Sequence, residues 1–276
     1  MSTRGPNPFL NDDGERILIE CAVLYLDMLG VSAMARGNQA QKELHRFERA
    51  IERAFRFELG TMGSGEDALV AAVFSDSFVA AAQAEEGFTD ARAEAIAGLV
   101  FEAASIQGVL AVNEYFVRGA ITLGQFHFHR GLIFGPALVE AVNLEQETAK
   151  DPRIVLSPGA LQALRQGRGE SIAGEPLRVD EDGLAFVDYL DNLYVDPGVT
   201  AKRNLSKHQS VVEANLKTNA GDMGRWRKHR WVAEYHNDFL RRRSEELTRN
   251  KVDVEKLRID IVDGERRLRP VAPIAG

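Results

Sequence analysis

Two apolar runs, each interrupted by a single aspartate, constrain this chain more than any other feature. Residues 23–32 read VLYLDMLGVS and residues 71–80 read AAVFSDSFVA. Asp27 ends an apolar run that begins at Ile17, and Asp76 lies in the middle of its own run. An isolated carboxylate is costly to bury, so neither belongs inside a strand without a partner. Two such positions point to two carboxylates that share a cation. Taken singly, each has a plainer reading, Asp76 as a hairpin-turn residue and Asp27 as a cap, since Asp is common in both places.

The 276 residues suffice for one large domain, or a medium domain with an appendage. The 45% hydrophobic content fits a globular chain with a real core. Acidic residues outnumber basic ones, 41 to 34. That balance argues against a general nucleic-acid binder, which carries a basic surplus. Cys21 is the sole cysteine, so no disulfide forms within the chain. It reads as a small buried hydrophobe in a reducing compartment. No signal peptide is visible in residues 1–13, and no run approaches the ~20 apolar residues of a membrane span. The expectation is a soluble, cytoplasmic protein without a membrane or nucleic-acid partner.

Hydrophobic periodicity orders the chain. Residues 1–15 read as a disordered lead-in. Residues 17–27 are too continuously apolar for an exposed strand and read as a central one. A loop with Gly30 and Gly37 follows over 28–37, then a helix over 38–59 with Leu44, Phe47, Ile51 and Phe55 on one face. Residues 68–82 read as two strands turning near Asp76, or one strand bent there. A second helix spans 89–113. Residues 115–123 form a strand, 125–131 a hairpin tip or its flanks, and 132–134 a short strand. Pro136 suits the first turn of a third helix over 137–150. A strand at 153–157, a helix at 158–166 and a strand pair over 177–190 complete this part. Helices alternate with strand pairs, so the fold class is α+β, with a mostly antiparallel sheet and helices against one face. Residues 16–196 form this domain, and residues 197–276 a helical extension with an edge strand near 256–263. In the extension Trp231, Tyr235 and Phe239 make a narrow stripe amid Arg225, Arg227, Lys228 and Arg230. The stripe packs either on its own domain or, as an arm, on a partner subunit.

Carboxylates at strand ends suit Mg²⁺ or Mn²⁺, hard cations that keep few protein ligands and bind substrate phosphates. Backbone N–H groups around Gly30, Val31 and Ser32 can meet phosphate oxygens. Two metals about 3.5–4 Å apart would activate a hydroxyl nucleophile and stabilise a leaving phosphate. His127 and His129 share a strand face but lack a third ligand, so an exposed hairpin face is the better reading. Glu140, Glu145 and Glu147 read as surface charge.

Strand–Asp–loop–helix, a hairpin with a central Asp, RGAITLG at 118–124, and LIFGPALVEAVNLEQETAKDPRIVLSP at 132–158 together resemble the class III nucleotide cyclase domain. The resemblance covers roughly residues 18–190. It is nearest to the bacterial anti-phage pyrimidine cyclases (Pycsar type), which share the 132–158 run and a W-x-x-x-Y-H-N helix, here Trp231, Tyr235, His236 and Asn237. It implies a ferredoxin-like core and two Mg²⁺ or Mn²⁺ ions on Asp27, Asp76 and the Met28 carbonyl. It implies a head-to-tail homodimer with active sites at the interface. The implied reaction converts a nucleoside triphosphate to a 3′,5′-cyclic nucleotide and pyrophosphate. The two base-reading positions of the purine enzymes hold Ala72 and Leu132, so the hydrogen bonds that read adenine or guanine are missing. Ala72, Phe74 and Leu132 become the base pocket. The helix positions that act on the transition state hold Val139 and Asn143. Asn143 keeps a donor without a charge, and Arg118, Arg153 or Arg178 is the expected substitute. The expectation is a UTP cyclase, with CTP next, making a defence signal for a separate cyclic-nucleotide-sensing effector. The alternatives are a silent nucleotide-binding regulator and a purine cyclase with a rebuilt pocket.

Overall fold

The structure, a computed structural model, describes residues 7–55, 69–84, 89–169, 174–194, 199–261 and 269–270. The first half runs β1 (Ile19–Met28), α1 (Val31–Ala35), α2 (Ala40–Ala54), β2 (Leu69–Phe74), β3 (Ser77–Gln83), α3 (Thr89–Val112), β4 (Val117–His129), β5 (Leu132–Phe134) and α4 (Pro136–Glu147). Then come β6 (Ile154–Leu156), α5 (Pro158–Arg168), β7 (Leu177–Val179), β8 (Ala185–Val187) and α6 (Tyr189–Leu193). The C-terminal part contributes α7 (Val199–Thr218), α8 (Met223–Arg242), α9 (Ser244–Arg249), α10 (Val254–Leu257) and β9 (Arg269–Pro270).

The sheet order begins β2-β3-β1-β4, with every neighbour antiparallel. With the helices between them, these strands make the βαββαβ ferredoxin-like unit expected from the sequence. β6 then joins β4 in parallel, and β8, β7 and β9 extend the sheet. The fold is therefore α+β with a mixed sheet. β1 is central, which is why residues 21–24 and 26 are buried on both faces. Gly119 lets β1 and β4 close: a Cβ there would sit 2.1 Å from the Tyr25 carbonyl oxygen.

One face of the sheet carries Leu24, Leu26 and Ile121 and packs on α3, whose Ile96, Leu99, Val100 and Ala103 are all buried. Residues 90–112 of α3 are long and apolar enough, on length and composition, to cross a membrane, contrary to the sequence expectation; 67% of the apolar window is buried within the fold. Contacts with the sheet, α2, α5, α6 and α7 account for that composition. The helices on this face are α2, α3 and α5, but the expectation that all helices share one face does not hold. α4 packs on the other face, where Cys21, Val23 and Phe126 meet Ala137. The Thr122 hydroxyl donates to the Ala137 carbonyl at 2.8 Å and fixes that approach.

Several local expectations change. Residues 7–15 are not a disordered lead-in: Phe9 is buried and lies edge-on to Phe126 at 6.2 Å. The loop after β1 contains the single helical turn of α1. Within the expected hairpin, 125–129 are the flanking strand, pairing with β1 and then β5, and the tip is Arg130 and Gly131. His127 bonds the Ile17 carbonyl at 2.8 Å and His129 meets Asn7 at 2.9 Å. Tyr189 and Leu190 begin a helix rather than end a strand. The expected edge strand near 256–263 starts inside α10, and residues 262–263 lie outside the described residues, as do 56–59 of the expected first helix.

The helical extension packs on its own domain. Trp231 and Tyr235 stack on each other and meet Phe186 of β8 edge-on. The Trp231 indole donates to Asp180 at 3.0 Å. The Tyr235 hydroxyl donates to Asp188 and accepts from the Leu190 amide at 2.9 Å. Asn237 pairs with both backbone groups of Ile259, at 2.8 and 2.9 Å. His236 Nε2 donates to the Leu257 carbonyl at 2.9 Å, leaving Nδ1 to accept from His208 Nδ1 at 3.0 Å. His208 Nε2 must then accept from the Tyr189 hydroxyl at 2.8 Å. Each polar side chain of the W-x-x-x-Y-H-N segment thus satisfies a buried partner.

Candidate active site

Asp27 lies at the penultimate position of β1, and Asp76 lies in the tight turn between β2 and β3. The register pairs Asp27 with Ser77, which places the two aspartates side by side. The Met28 amide donates to the Asp76 carbonyl at 2.8 Å and locks the turn to the strand end. Ser75 supports that turn with a left-handed φ of 58°. On the other side, Asp27 pairs with Arg118 of β4, whose Nε donates to Oδ2 at 3.2 Å. Burial raises the Asp27 carboxyl above its ordinary range against the pull of Arg118, and the like charge of Asp76 adds to the rise.

The loop after β1 turns at Gly30, whose φ of 88° requires glycine's freedom. Val31 and Ser32 open α1, and the Ser32 hydroxyl donates to Asp76 Oδ2 at 3.3 Å. The first amides of a helix have no intrahelical acceptor. Residues 30–32, read from the sequence as a phosphate cradle, thus lie beside Asp76.

Two further residues join the cluster. Glu145 of α4 is only 2% exposed and forms an ion pair with Arg118 Nε. Burial raises its carboxyl as well, against Arg118. Lys228 of α8 lies within electrostatic reach of Arg118, Asp27, Asp151 and Glu145, and burial followed by Arg118 lowers its ammonium. Its neighbour His229 stacks edge-on against Phe116 at 5.3 Å, and burial pushes the ring down to about 4. Glu145 is thus a buried member of the site and not the surface charge expected from sequence. The spacing holds the missed signal: Ala137, Ala141 and Glu145 stand four apart on one buried stripe. Lys228 gives no comparable signal, because only the return of α8 onto the sheet brings it there.

Other expected residues stand elsewhere. Arg153 is buried in ion pairs with Asp180 and Asp182, and Arg178 faces Asp238 at 4.0 Å. Arg178 meets Asp238 of the extension and Arg153 holds Asp180, which Trp231 also bonds, so within one chain Arg118 alone of the three touches the aspartates. Asn143 is exposed on α4, as is Val139 at 60%, both turned away from the buried stripe that ends in Glu145. Ala72 pairs with Val79 and through it aligns with Tyr25, sharing the sheet face of Asp27. The side chain of Phe74 lies outside the described residues. Leu132 pairs with His129, eleven residues along β4 from Arg118. At about 3.3 Å per residue, that is roughly 35 Å. Within one chain, Leu132 does not reach the aspartate pair, whereas Asn143 stands two residues before Glu145 on the exposed side of α4.

Among the described residues no three His, Cys, Asp or Glu side chains converge as a metal cage. The donors present still fit Mg²⁺ or Mn²⁺: two carboxylates on adjacent turns, hard oxygens throughout, and a half-open setting.

No family model matches the chain, and no curated protein does. Among solved structures, a class III adenylyl cyclase-like ATP-binding protein from Pseudomonas aeruginosa is 16% identical with a TM-score of 0.40. The match covers 53% of this chain and 35% of that one. An adenylate/guanylate cyclase/hydrolase from Silicibacter pomeroyi is 21% identical over 62% of this chain and 95% of that one, TM-score 0.36. The guanylyl cyclase Cya2 is 13% identical over 62% and 91%, also at 0.36. At these scores the likenesses carry no weight for function, which rests on the site.

Proposed function

We propose that the chain is a nucleotide cyclase that converts a pyrimidine nucleoside triphosphate, UTP ahead of CTP, to its 3′,5′-cyclic nucleotide and pyrophosphate. The carrying observation is the cluster of Asp27, Asp76 and Arg118 beside the Gly30–Ser32 turn. Asp27, Asp76 and the Met28 carbonyl would hold two Mg²⁺ or Mn²⁺ ions, which supply Lewis-acid activation of the hydroxyl and charge neutralisation on the triphosphate. The amides of Gly30, Val31 and Ser32 orient phosphate oxygens. Arg118 brings the cation that Asn143 lacks. The reaction forms the bond from the ribose 3′-oxygen to the α-phosphorus, breaks the α-phosphorus bond to pyrophosphate and releases the 3′-hydroxyl proton to water.

Base choice rests on two apolar side chains. Ala72 and Leu132 offer no hydrogen bond to a purine edge, which supports a smaller ring. Ala72 lies near its own aspartates, but Leu132 is remote and exposed, alongside the exposed Phe134, and Val139 and Asn143 are exposed on α4. This separation supports a head-to-tail homodimer in which each copy completes the other's site. In that reading the product is a defence signal read by a separate effector, a role proposed from the sequence resemblance alone.

The test is incubation of purified protein with Mn²⁺ and each of the four nucleoside triphosphates, with products identified by mass. Cyclic UMP or cyclic CMP supports the proposal. A cyclic purine overturns the base assignment, and no product supports a silent regulator instead. Asp27→Ala and Asp76→Ala should each abolish product while leaving the fold intact; full activity in either removes the metal assignment.

A further inference from the structure

Arg118 faces two carboxylates with one nitrogen. Its Nε donates to Asp27 at 3.2 Å and forms an ion pair with Glu145. The two Nη groups have no hydrogen-bond acceptor among the described residues, and the side chain keeps 24% exposure. Four N–H donors are therefore left for an outside oxyanion. Glu145 Oε1 is buried, touches that one cation and makes no hydrogen bond among the described residues. Its helix leaves it no alternative direction, because Ala137 and Ala141 seat the same stripe against β4.

A guanidinium on Asp27 opposes the binding of a divalent cation there. With Asp27 as its sole counter-charge, Arg118 would close fully onto that carboxylate, and arginine favours such two-pronged pairing. A second carboxylate that cannot leave divides the guanidinium's attachment. We propose that Glu145 is a positioning residue: it anchors Arg118, so that Asp27 can turn to a cation while the Nη edge stays aimed at the bound triphosphate. This inference rests on the cation site proposed above and adds the residue that lets arginine and cation occupy it together.

The experiment is a double-mutant cycle on Mn²⁺ binding to the full-length apo protein, read by titration calorimetry without nucleotide. Glu145→Gln should weaken Mn²⁺ binding about tenfold, because Arg118 then closes on Asp27. Arg118→Met should tighten it severalfold. In the Arg118→Met background, Glu145→Gln should change the affinity by less than about twofold, since the anchor has nothing to hold. Glu145→Asp keeps the charge with a shorter reach, so it should restore most of the lost affinity; Glu145→Ala takes the place of Glu145→Gln in the cycle if that variant fails to fold. Equal effects of Glu145→Gln in both backgrounds, or no rescue by aspartate, overturn the anchor. Wild-type protein that binds no Mn²⁺, or an Asp27→Asn variant that binds it unchanged, removes the cation site and this inference with it. Loss in Asp27→Asn with equal Glu145→Gln effects removes only the inference.

Discussion

The hydrogen-bonded line Tyr189–His208–His236–Leu257 joins the sheet domain to its C-terminal helices, and acid should break it. His236 and His208 are both fully buried, and each ring must be neutral, because each nitrogen facing the next group is already assigned as donor or acceptor. Burial holds His236 down at about 4, and burial plus its histidine neighbour holds His208 well below its ordinary value. The unfolded chain protonates a histidine near 6.5. A base whose folded value is depressed gives its full stability above the unfolded value and loses it as pH falls. The window for His236 therefore runs from about 6.5 down to about 4. Between pH 6.5 and 4.5, its contribution falls by roughly 2 kcal/mol, because taking up one proton more in the unfolded chain is worth at most about 1.4 kcal/mol for each step of one in pH. Urea unfolding followed by Trp231 fluorescence measures this at each pH. His236→Gln should lower stability at pH 7.5 through the bonds it mishandles, by about 1–3 kcal/mol. Its stability should then fall less steeply with acid than that of the wild type. Parallel curves for the two proteins between pH 6.5 and 4.5 would refute the reasoning.

Three further outcomes follow from single contacts. Arg153→Ala leaves the buried Asp180 without its guanidinium and should cost about 3–5 kcal/mol, seen as a lowered melting temperature; an unchanged one removes the docking role. Gly119→Ala drives a methyl into the Tyr25 carbonyl and the Leu26 side chain, so β1 and β4 must part. It should cost about 3 kcal/mol or more in urea unfolding, and an unshifted midpoint contradicts the close approach. Tyr235→Phe strands the buried Leu190 amide and one contact of Asp188, at about 1–3 kcal/mol, with cyclase turnover per folded molecule retained if the helix serves only as a dock.

What a sequence of this kind discloses follows from periodicity. The βαββαβ core is legible because β1, the β2–β3 pair and β4 are continuous apolar strands, and Pro136 and Pro158 mark helix starts. Asp27 and Asp76 are legible because a charge in an apolar run is locally anomalous. Glu145 is not, since a glutamate on a helix is locally ordinary and its burial depends on which face α4 turns to the sheet. Residues 125–131 are legible only as a hairpin region, because which of them form the tip depends on the pairing of 125–126 with β1 and 127–129 with β5. The extension's charges read as a solvated helix face or an arm, whereas its Asp238 and Arg242 meet Arg178 and Asp188 of the sheet domain, far off in sequence.

The length of β4 bears most directly on mechanism. Its first residues carry Arg118 against the aspartates, and its far end carries His129 against Leu132. A rigid strand of 13 residues cannot bring those ends together. Leu132, proposed to help choose the base, therefore lies too far in one chain from the residues proposed to hold the metals to share one substrate with them. A copy with Leu132→Asp and a copy with Asp27→Asn, mixed, provide the decisive comparison. If sites form between copies, mixing should alter base choice or activity in proportion to the hybrid dimer, whereas sites complete within one chain would give the plain average of the two proteins.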